Sequence, residues 1–164
     1  HGLARSTDLL IAGGAVGVEL RELLAAQVDP FRPDSPERMK MSGPKFRLAN
    51  QPAQTVGLAV HELATNAAKY GAFSTSTGRL EISWKVKDDT LILTWREHVS
   101  RARRRNVRRR GFGTEIIERM VGGTLDAEIS RVFHRDGLEC VFKIPVDRLE
   151  PDISTSGPRV GEAD

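Results

Sequence analysis

Apolar positions recur with helical spacing in the middle of the chain, between residues 53 and 70. On a period of 3.6 residues they fall on one stripe, and the segment is rich in Ala and also contains Leu, Glu and Lys, all of which favour helix. Gly71 follows where a C-terminal helix cap is expected. We therefore predict one helix over residues 53–70, with these positions facing the core: Val56, Val60, Leu63 and Ala67.

A neighbouring stripe of the same predicted helix carries polar side chains. It places a carboxylate, a carboxamide and an ammonium group in one line, at Glu62, Asn66 and Lys69. Such a line is usually a solvated face, but this one adjoins the apolar stripe that the core requires. The line is therefore a candidate site. His61 points away from it by helical phase, near Thr65, and both a structural and a catalytic role remain open for His61.

Upstream of the central helix the pattern is helical and then irregular. Residues 1–10 are typical of the end of a helix, which the Gly pair within residues 12–15 interrupts. A further helix is predicted over residues 18–28, where apolar residues lie at amphipathic spacing before a proline. Residues 29–43 are rich in Pro, Asp, Ser and Arg and are predicted to be loop, and residues 45–48 alternate enough for a short strand.

Downstream of the central helix the apolar period changes to strict alternation, which predicts strands. Four strands are expected, at residues 79–85, 90–95, 125–133 and 138–144. Gly111–Thr114 opens a helix predicted over residues 115–121, which Gly122 and Gly123 are expected to end. Helices followed by mostly antiparallel strands indicate an α+β fold, a two-layer sandwich whose mixed sheet is covered on one face by helices.

Composition limits the class of protein. The 164 residues suffice for one domain with its own core. The single cysteine, Cys140, excludes an internal disulfide, and we expect it to pack in the core with Trp84 and Trp95. No apolar run approaches the roughly 20 residues of a membrane-spanning helix, and no signal peptide is evident, so we expect a cytoplasmic protein without membrane contact from this segment. Because the chain begins with His1, we expect it to be a piece of a longer protein.

The net charge of +3 has a local origin. Residues 101–110 contain seven arginines, so the remainder of the chain is net acidic. No aromatic residue is interleaved with these arginines to stack on bases, and we therefore do not expect nucleic acid as a partner. Three interpretations of the run remain open: a solvated mobile loop, a clamp for polyphosphate, and a docking patch for an acidic partner.

Three blocks of the sequence, in this order, resemble the ATP-binding domain shared by histidine kinases, gyrase, the Hsp90 chaperones and MutL. His61–Lys69 is similar to the N-box, Leu93–Glu97 to the start of the first glycine-box region, and Gly111–Thr114 to the second glycine box. The HWE group of histidine kinases is marked by His61, directly before the N-box Glu, and by Trp95, two residues before a second Glu. The resemblance implies the GHKL (Bergerat) type of α+β sandwich.

The resemblance implies ATP and Mg²⁺ as ligands and gives the polar line specific roles. Glu62 corresponds to the carboxylate that orients or deprotonates near the γ-phosphate, and Asn66 to the magnesium ligand, in keeping with the preference of Mg²⁺ for oxygen. Lys69 would lie toward the phosphates and Tyr70 near the nucleotide. Glu97 would take the place of the Asp that accepts a hydrogen bond from the adenine amino group.

The resemblance also implies a second set of phosphate contacts. Backbone N–H groups at a helix start suit an anion; here they would come from Gly111, Phe112, Gly113 and Thr114. If the arginine run is a clamp for polyphosphate, the residues at its end would form it: Arg108, Arg109 and Arg110.

The resemblance covers roughly residues 1–147 and implies a division of the chain. Residues 1–14 would end a preceding dimerisation and phosphoacceptor region, residues 15–148 would form the catalytic ATP-binding domain, and residues 149–164 would be a flexible tail. The implied function is that of a two-component sensor histidine kinase. Its catalytic domain transfers the γ-phosphoryl of ATP to a histidine on a separate domain of the same or a partner chain, and the group passes on to a response regulator. We expect a homodimer for the full-length protein, and no activity from this segment alone because it lacks the acceptor histidine.

The sequence departs from the family at one point. After Trp-x-Glu such kinases continue with Gly-Gly-Pro, whereas His98, Val99 and Ser100 stand here. Glycine serves where backbone approaches a ligand closely, and valine does not replace it in that role. This loss leaves open the alternative of a degenerate pseudokinase that binds or scaffolds with the same fold. A second alternative, built on the same fold, is a protein-serine kinase of the anti-sigma-factor type.

Overall fold

The structure is a computed structural model that describes residues 17–100 and 112–151, with side chains in the second range from residue 117 onward. Three α-helices lie in these ranges: α1 (Leu20–Val28), α2 (Asn50–Lys69) and α3 (Phe112–Leu125). The strands there are β1 (Val18–Glu19), β2 (Met39–Ser42), β3 (Arg47–Leu48), β4 (Arg79–Lys87), β5 (Thr90–His98), β6 (Glu128–His134) and β7 (Gly137–Pro145).

Five of these strands form a mixed sheet in the order β2-β4-β5-β7-β6. Strand β2 runs parallel to β4, with Met39 opposite Leu80, and the other three pairings are antiparallel. Strands β1 and β3 form a separate two-stranded pair. The predicted α+β architecture with a mostly antiparallel sheet is confirmed.

The sheet buries one face. Along β5 the side chains of Leu91, Leu93, Trp95 and Glu97 are buried while their neighbours are partly exposed, as the two-residue period of a strand requires. The predicted apolar stripe of α2 is fully buried in the same core. Trp84, Trp95 and Cys140 are buried as expected, and desolvation raises the pKa of the Cys140 thiol to about 12.

The β4–β5 hairpin turns through two acidic residues. Asp88 and Asp89 have φ of 51° and 56°, the left-handed conformation that both central residues of a tight two-residue turn require. Asp tolerates this conformation better than most residues that carry a side chain. The turn thus lies between the two strands predicted at residues 79–85 and 90–95.

The prediction of loop throughout residues 29–43 was wrong, because β2 lies within it. Met39 is buried and Lys40 exposed, so a strand alternation is present but short. Its stabilisation comes from β4, forty residues away, and local periodicity does not report such a parallel pairing.

The predicted end of the last helix at Gly122 was also wrong. Helix α3 begins at Phe112 and continues through Gly122 and Gly123 to Leu125. Leu125 is buried one turn beyond Val121, on the same side of the helix, and this packing outweighs the weak helix propensity of two glycines.

Several predictions fall outside the described residues. They concern the helix end and glycine break in residues 1–15, the arginine run, and the tail from residue 152 onward. None of the helices in the described ranges combines the length and apolar composition that crossing a bilayer requires.

Candidate functional site

The predicted polar line lies on α2 as expected. Glu62 and Asn66 are half-buried, and Lys69 is exposed in the last turn. None of these three side chains forms a hydrogen bond or ion pair with another residue of the described ranges. Lys69 also suits the negative end of the helix dipole. The line therefore presents an acid, an amide and a cation with their polar atoms still available.

A cleft of about 100 Å³ separates α2 from α3 beside Glu62. Its walls are mainly apolar, formed by Thr55, Leu58, Ala59, Glu62, Ile117, Met120 and Val121. Glu62 is the acidic side chain of this lining. The position agrees with a site between the central helix and the helix that follows the second glycine-box block.

His61 faces away from the polar line. Its ring atom Nδ1 is buried with no hydrogen-bond partner in the described part of the chain, and its carbonyl accepts a bond of 2.9 Å from the Thr65 hydroxyl. The predicted proximity to Thr65 is confirmed for the His61 backbone.

Glu97 is 3% exposed and is held inside the chain. Its Oε1 accepts the Ala72 N–H and its Oε2 accepts the Trp95 indole N–H, each at 2.9 Å. Desolvation raises the pKa of Glu97, and the bonds from Ala72 and Trp95 and the charge of Arg96 act in the opposite direction. The carboxylate thus ties the end of α2 to β5.

The carboxylate of Glu97 lies where a side chain at Gly71 would otherwise project. A Cβ at Gly71 would lie 2.0 Å from Glu97 Oε1, so any side chain at this position displaces the carboxylate. The requirement for glycine that the contacts show is close approach of the carboxylate.

Arg38 was missed by sequence reasoning. Its guanidinium donates to the carbonyls of Gly78 (2.8 Å), Thr75 and Ala72 (3.4 Å), and so grips the loop that joins α2 to β4. An isolated arginine in a Pro-rich segment carries no local signal for this role. Only the pairing of β2 with β4 brings it to the loop.

A second cluster that the sequence did not indicate lies on the opposite face of β5. Asp136, in the β6–β7 turn, accepts hydrogen bonds from Arg96 and from His98, whose Nδ1 is 2.9 Å from Oδ2. Glu81 lies 3.6 Å from the other nitrogen of His98. The two bonds lower the pKa of Asp136 to about 2. This cluster fixes the strand end at the point where the arginine run begins.

The remaining predicted site residues are placed only in part. Tyr70 is exposed at the end of α2. Phe112–Thr114 form the first turn of α3, with side chains that are not described, and Gly111 and Arg108–Arg110 lie outside the described residues. No group of three or more acidic, His or Cys side chains in the described ranges could hold a metal ion by itself.

The known proteins of similar sequence or structure described here are all histidine kinases. The family model of the HWE histidine kinases matches residues 1–45. Blue-light-activated histidine kinase 1 of Erythrobacter litoralis is 39% identical over 137 residues, which are 81% of this chain and 37% of that protein. The chain therefore spans well under half the length of this relative.

Two solved structures share the fold. The histidine kinase domain of the Erythrobacter litoralis EL346 kinase superposes with a TM-score of 0.67 and 20% identity, over 90% of this chain and 76% of that domain. The histidine kinase ThkA, solved in complex with the response regulator TrrA, gives a TM-score of 0.56 at 12% identity, over 79% of this chain and 41% of ThkA.

Proposed function

We propose that this chain, whose sequence is similar to HWE histidine kinases and whose fold is that of a histidine kinase catalytic domain, binds Mg-ATP. In this proposal it supplies the γ-phosphoryl group to a histidine on a separate domain. The observation that carries the proposal is the line of Glu62, Asn66 and Lys69 on α2, whose side chains have no partner in the described ranges and of which Glu62 lines the α2–α3 cleft. Phosphoryl transfer needs positioning and charge neutralisation more than covalent chemistry, and this line offers both.

At the phosphate end we assign Asn66 as the protein ligand of magnesium. A single amide oxygen suits Mg²⁺, which takes few protein ligands and completes its shell with phosphate and water. When bound, the ion neutralises charge on the transferring group. Lys69 adds a cation one turn further along α2, and the N–H groups at the start of α3 suit an anion. Glu62 lies at the cleft, where it can accept the proton of the incoming histidine.

At the base end we assign Glu97 and Tyr70. Each carboxylate oxygen of Glu97 accepts one bond from the chain and retains capacity for another. We propose that Glu97 accepts a hydrogen bond from the adenine amino group while it holds Ala72 and Trp95 in place. Tyr70 is exposed next to this point and offers an aromatic face.

For the longer protein we propose the histidine-bearing domain of the same or a partner chain as phosphoryl acceptor, and a response regulator as the next acceptor. ThkA was solved with such a regulator, which supports this order. We further propose a homodimeric, cytoplasmic kinase.

One observation favours the pseudokinase alternative. The Val99 N–H donates to the Asp136 carbonyl, so the chain stays tied to the β6–β7 turn where related kinases have flexible glycines. A backbone held there approaches a nucleotide less readily. The two functions differ in one measurable property, which is affinity for ATP.

Calorimetric titration with ATP and Mg²⁺ tests the proposal. We expect wild type to bind, and Asn66→Ala to weaken binding at least tenfold in the presence of Mg²⁺. Chelation of Mg²⁺ should bring wild type to the affinity of the variant. Asn50→Ala, at the exposed start of α2, is the matched control and should bind normally. No binding by wild type at millimolar ATP would support the pseudokinase instead.

A further inference from the structure

We propose that Arg38 is a positioning residue for the base end of the nucleotide site, acting through the Ala72–Gly78 loop; this inference rests on the function proposed above. Arg38 lies one residue before β2, far in sequence from the polar line and the glycine-box blocks. It acts without touching the nucleotide, through the backbone that Glu97 also holds.

The contacts of Arg38 converge on both ends of the loop. Its Nε donates to the Gly78 carbonyl at 2.8 Å, and its Nη2 donates to the carbonyls of Thr75 and Ala72. The loop is closed at the same place, because a Cβ at Gly78 would lie 1.9 Å from the Ala72 oxygen. One guanidinium therefore satisfies the carbonyls at the point where the loop begins and ends.

Both backbone polar groups of Ala72 are hydrogen-bonded to side chains. Its N–H is held by Glu97 and its carbonyl by Arg38, and the residue itself is fully buried. A shift of the Ala72 backbone moves the Glu97 carboxylate, which has no free space toward Gly71. Arg38 thereby fixes the orientation of the group assigned to the adenine amino contact.

The geometry requires arginine rather than any cation. Arg presents its donors in a rigid planar fork, whereas the Lys ammonium is a single point on a flexible stem. The parallel pairing of β2 with β4 places Met39 opposite Leu80, and this register brings the Arg38 guanidinium to the end of the loop. A lysine in this place keeps the charge but cannot bond the loop at both ends.

The test compares Arg38→Lys with Arg32→Lys. Arg32 is in the same connecting segment, is exposed, and pairs with Asp29 three residues earlier. Affinity is measured for Mg-ADP and for Mg-tripolyphosphate, which lacks the base, at a temperature where thermal melts show each variant folded. We expect Arg38→Lys to weaken Mg-ADP about tenfold and to change tripolyphosphate less than twofold, and Arg32→Lys to change neither.

A second measurement follows the Glu97 contact without nucleotide. The chain has two tryptophans, so its ¹H–¹⁵N spectrum contains two indole N–H signals, which Trp84→Phe assigns. Because the Trp95 indole donates to Glu97, its signal should move in Arg38→Lys and stay in Arg32→Lys. Equal loss of ADP and tripolyphosphate binding, or an Arg38→Lys variant with wild-type affinity and an unmoved Trp95 signal, would overturn the inference. Absence of ADP binding by wild type would instead overturn the proposed function, and the positioning role with it.

Discussion

The indole Nε1 of Trp95 lies 2.9 Å from Oε2 of Glu97, two residues further along β5. Residues at i and i+2 of a strand share a face, so both side chains enter the core together. The Trp-x-Glu spacing is therefore a hydrogen-bonded pair in which the indole satisfies a buried carboxylate.

Replacing Trp95 by Phe should destabilise the fold by about 2 kcal/mol, since a buried carboxylate oxygen loses its donor. Urea unfolding measures the change. Removal of the donor should raise the already elevated pKa of Glu97 further, so the cost should shrink as the pH is lowered, because the folded state takes up the proton more readily. Trp84→Phe is the control, because its indole donates to the neutral carbonyl of Pro44. A pH-independent cost in Trp95→Phe would contradict the assignment.

Gly71→Ala should destabilise the fold by about 1–3 kcal/mol, because the new Cβ overlaps Glu97 Oε1 and forces the carboxylate off Ala72. Gly123→Ala makes a matched control: a Cβ there meets nothing within 4 Å and lies in α3. It should stabilise the helix by roughly 0.5–1 kcal/mol. Thermal unfolding of both variants measures the difference. Similar melting temperatures for the two variants would contradict the predicted overlap between a Cβ at Gly71 and the Glu97 carboxylate.

Asp136→Asn should remove an acid-sensitive part of the stability. The folded pKa of Asp136 is about 2, below the ordinary 3.8, so its bonds to Arg96 and His98 stabilise the fold above pH 4. This contribution is lost as pH falls from about 4 through about 2. The melting temperature of wild type should exceed that of the variant at pH 5 and converge with it near pH 2. Asp126→Asn, at an exposed position with φ of 51° between α3 and β6, should track wild type throughout.

Glu62→Ala, made in the proposed longer kinase with its acceptor histidine, should leave ATP affinity within about twofold and lower the rate of histidine phosphorylation at least 100-fold. The reason is that Glu62 lines the cleft without bonding the described chain. Radiolabelled γ-phosphate transfer measures the rate, with Glu22→Ala on the exposed side of α1 as control. Normal transfer by Glu62→Ala would remove the proposed base role.

Much of the fold could be predicted because its signals are local. The apolar stripe from Val56 to Ala67 and the alternation along β4 and β5 are patterns that repeat every two to four residues, so they can be recognised in a short stretch of sequence. The polar line could be found in the same way, since residues three and four apart share a helix face. The resemblance to the HWE group was readable because its markers are short motifs in a fixed order.

Other features depend on pairings that no local pattern records. Strand β2 exists because β4 pairs with it, and α3 passes two glycines because Leu125 packs in the core. The Asp136 cluster forms because the β6–β7 turn reaches the end of β5.

By itself, the sequence determined the central helix, the alternating strands, the α+β class and the line of Glu62, Asn66 and Lys69. Only the tertiary structure decided that Arg38 and Glu97 hold Ala72 from two sides, and that Gly71 must lack a side chain there. The physical reason is distance along the chain. Periodicity fixes which face a residue occupies, whereas a hydrogen bond between residues 25 or more positions apart depends on the register of strands that meet only in the folded protein.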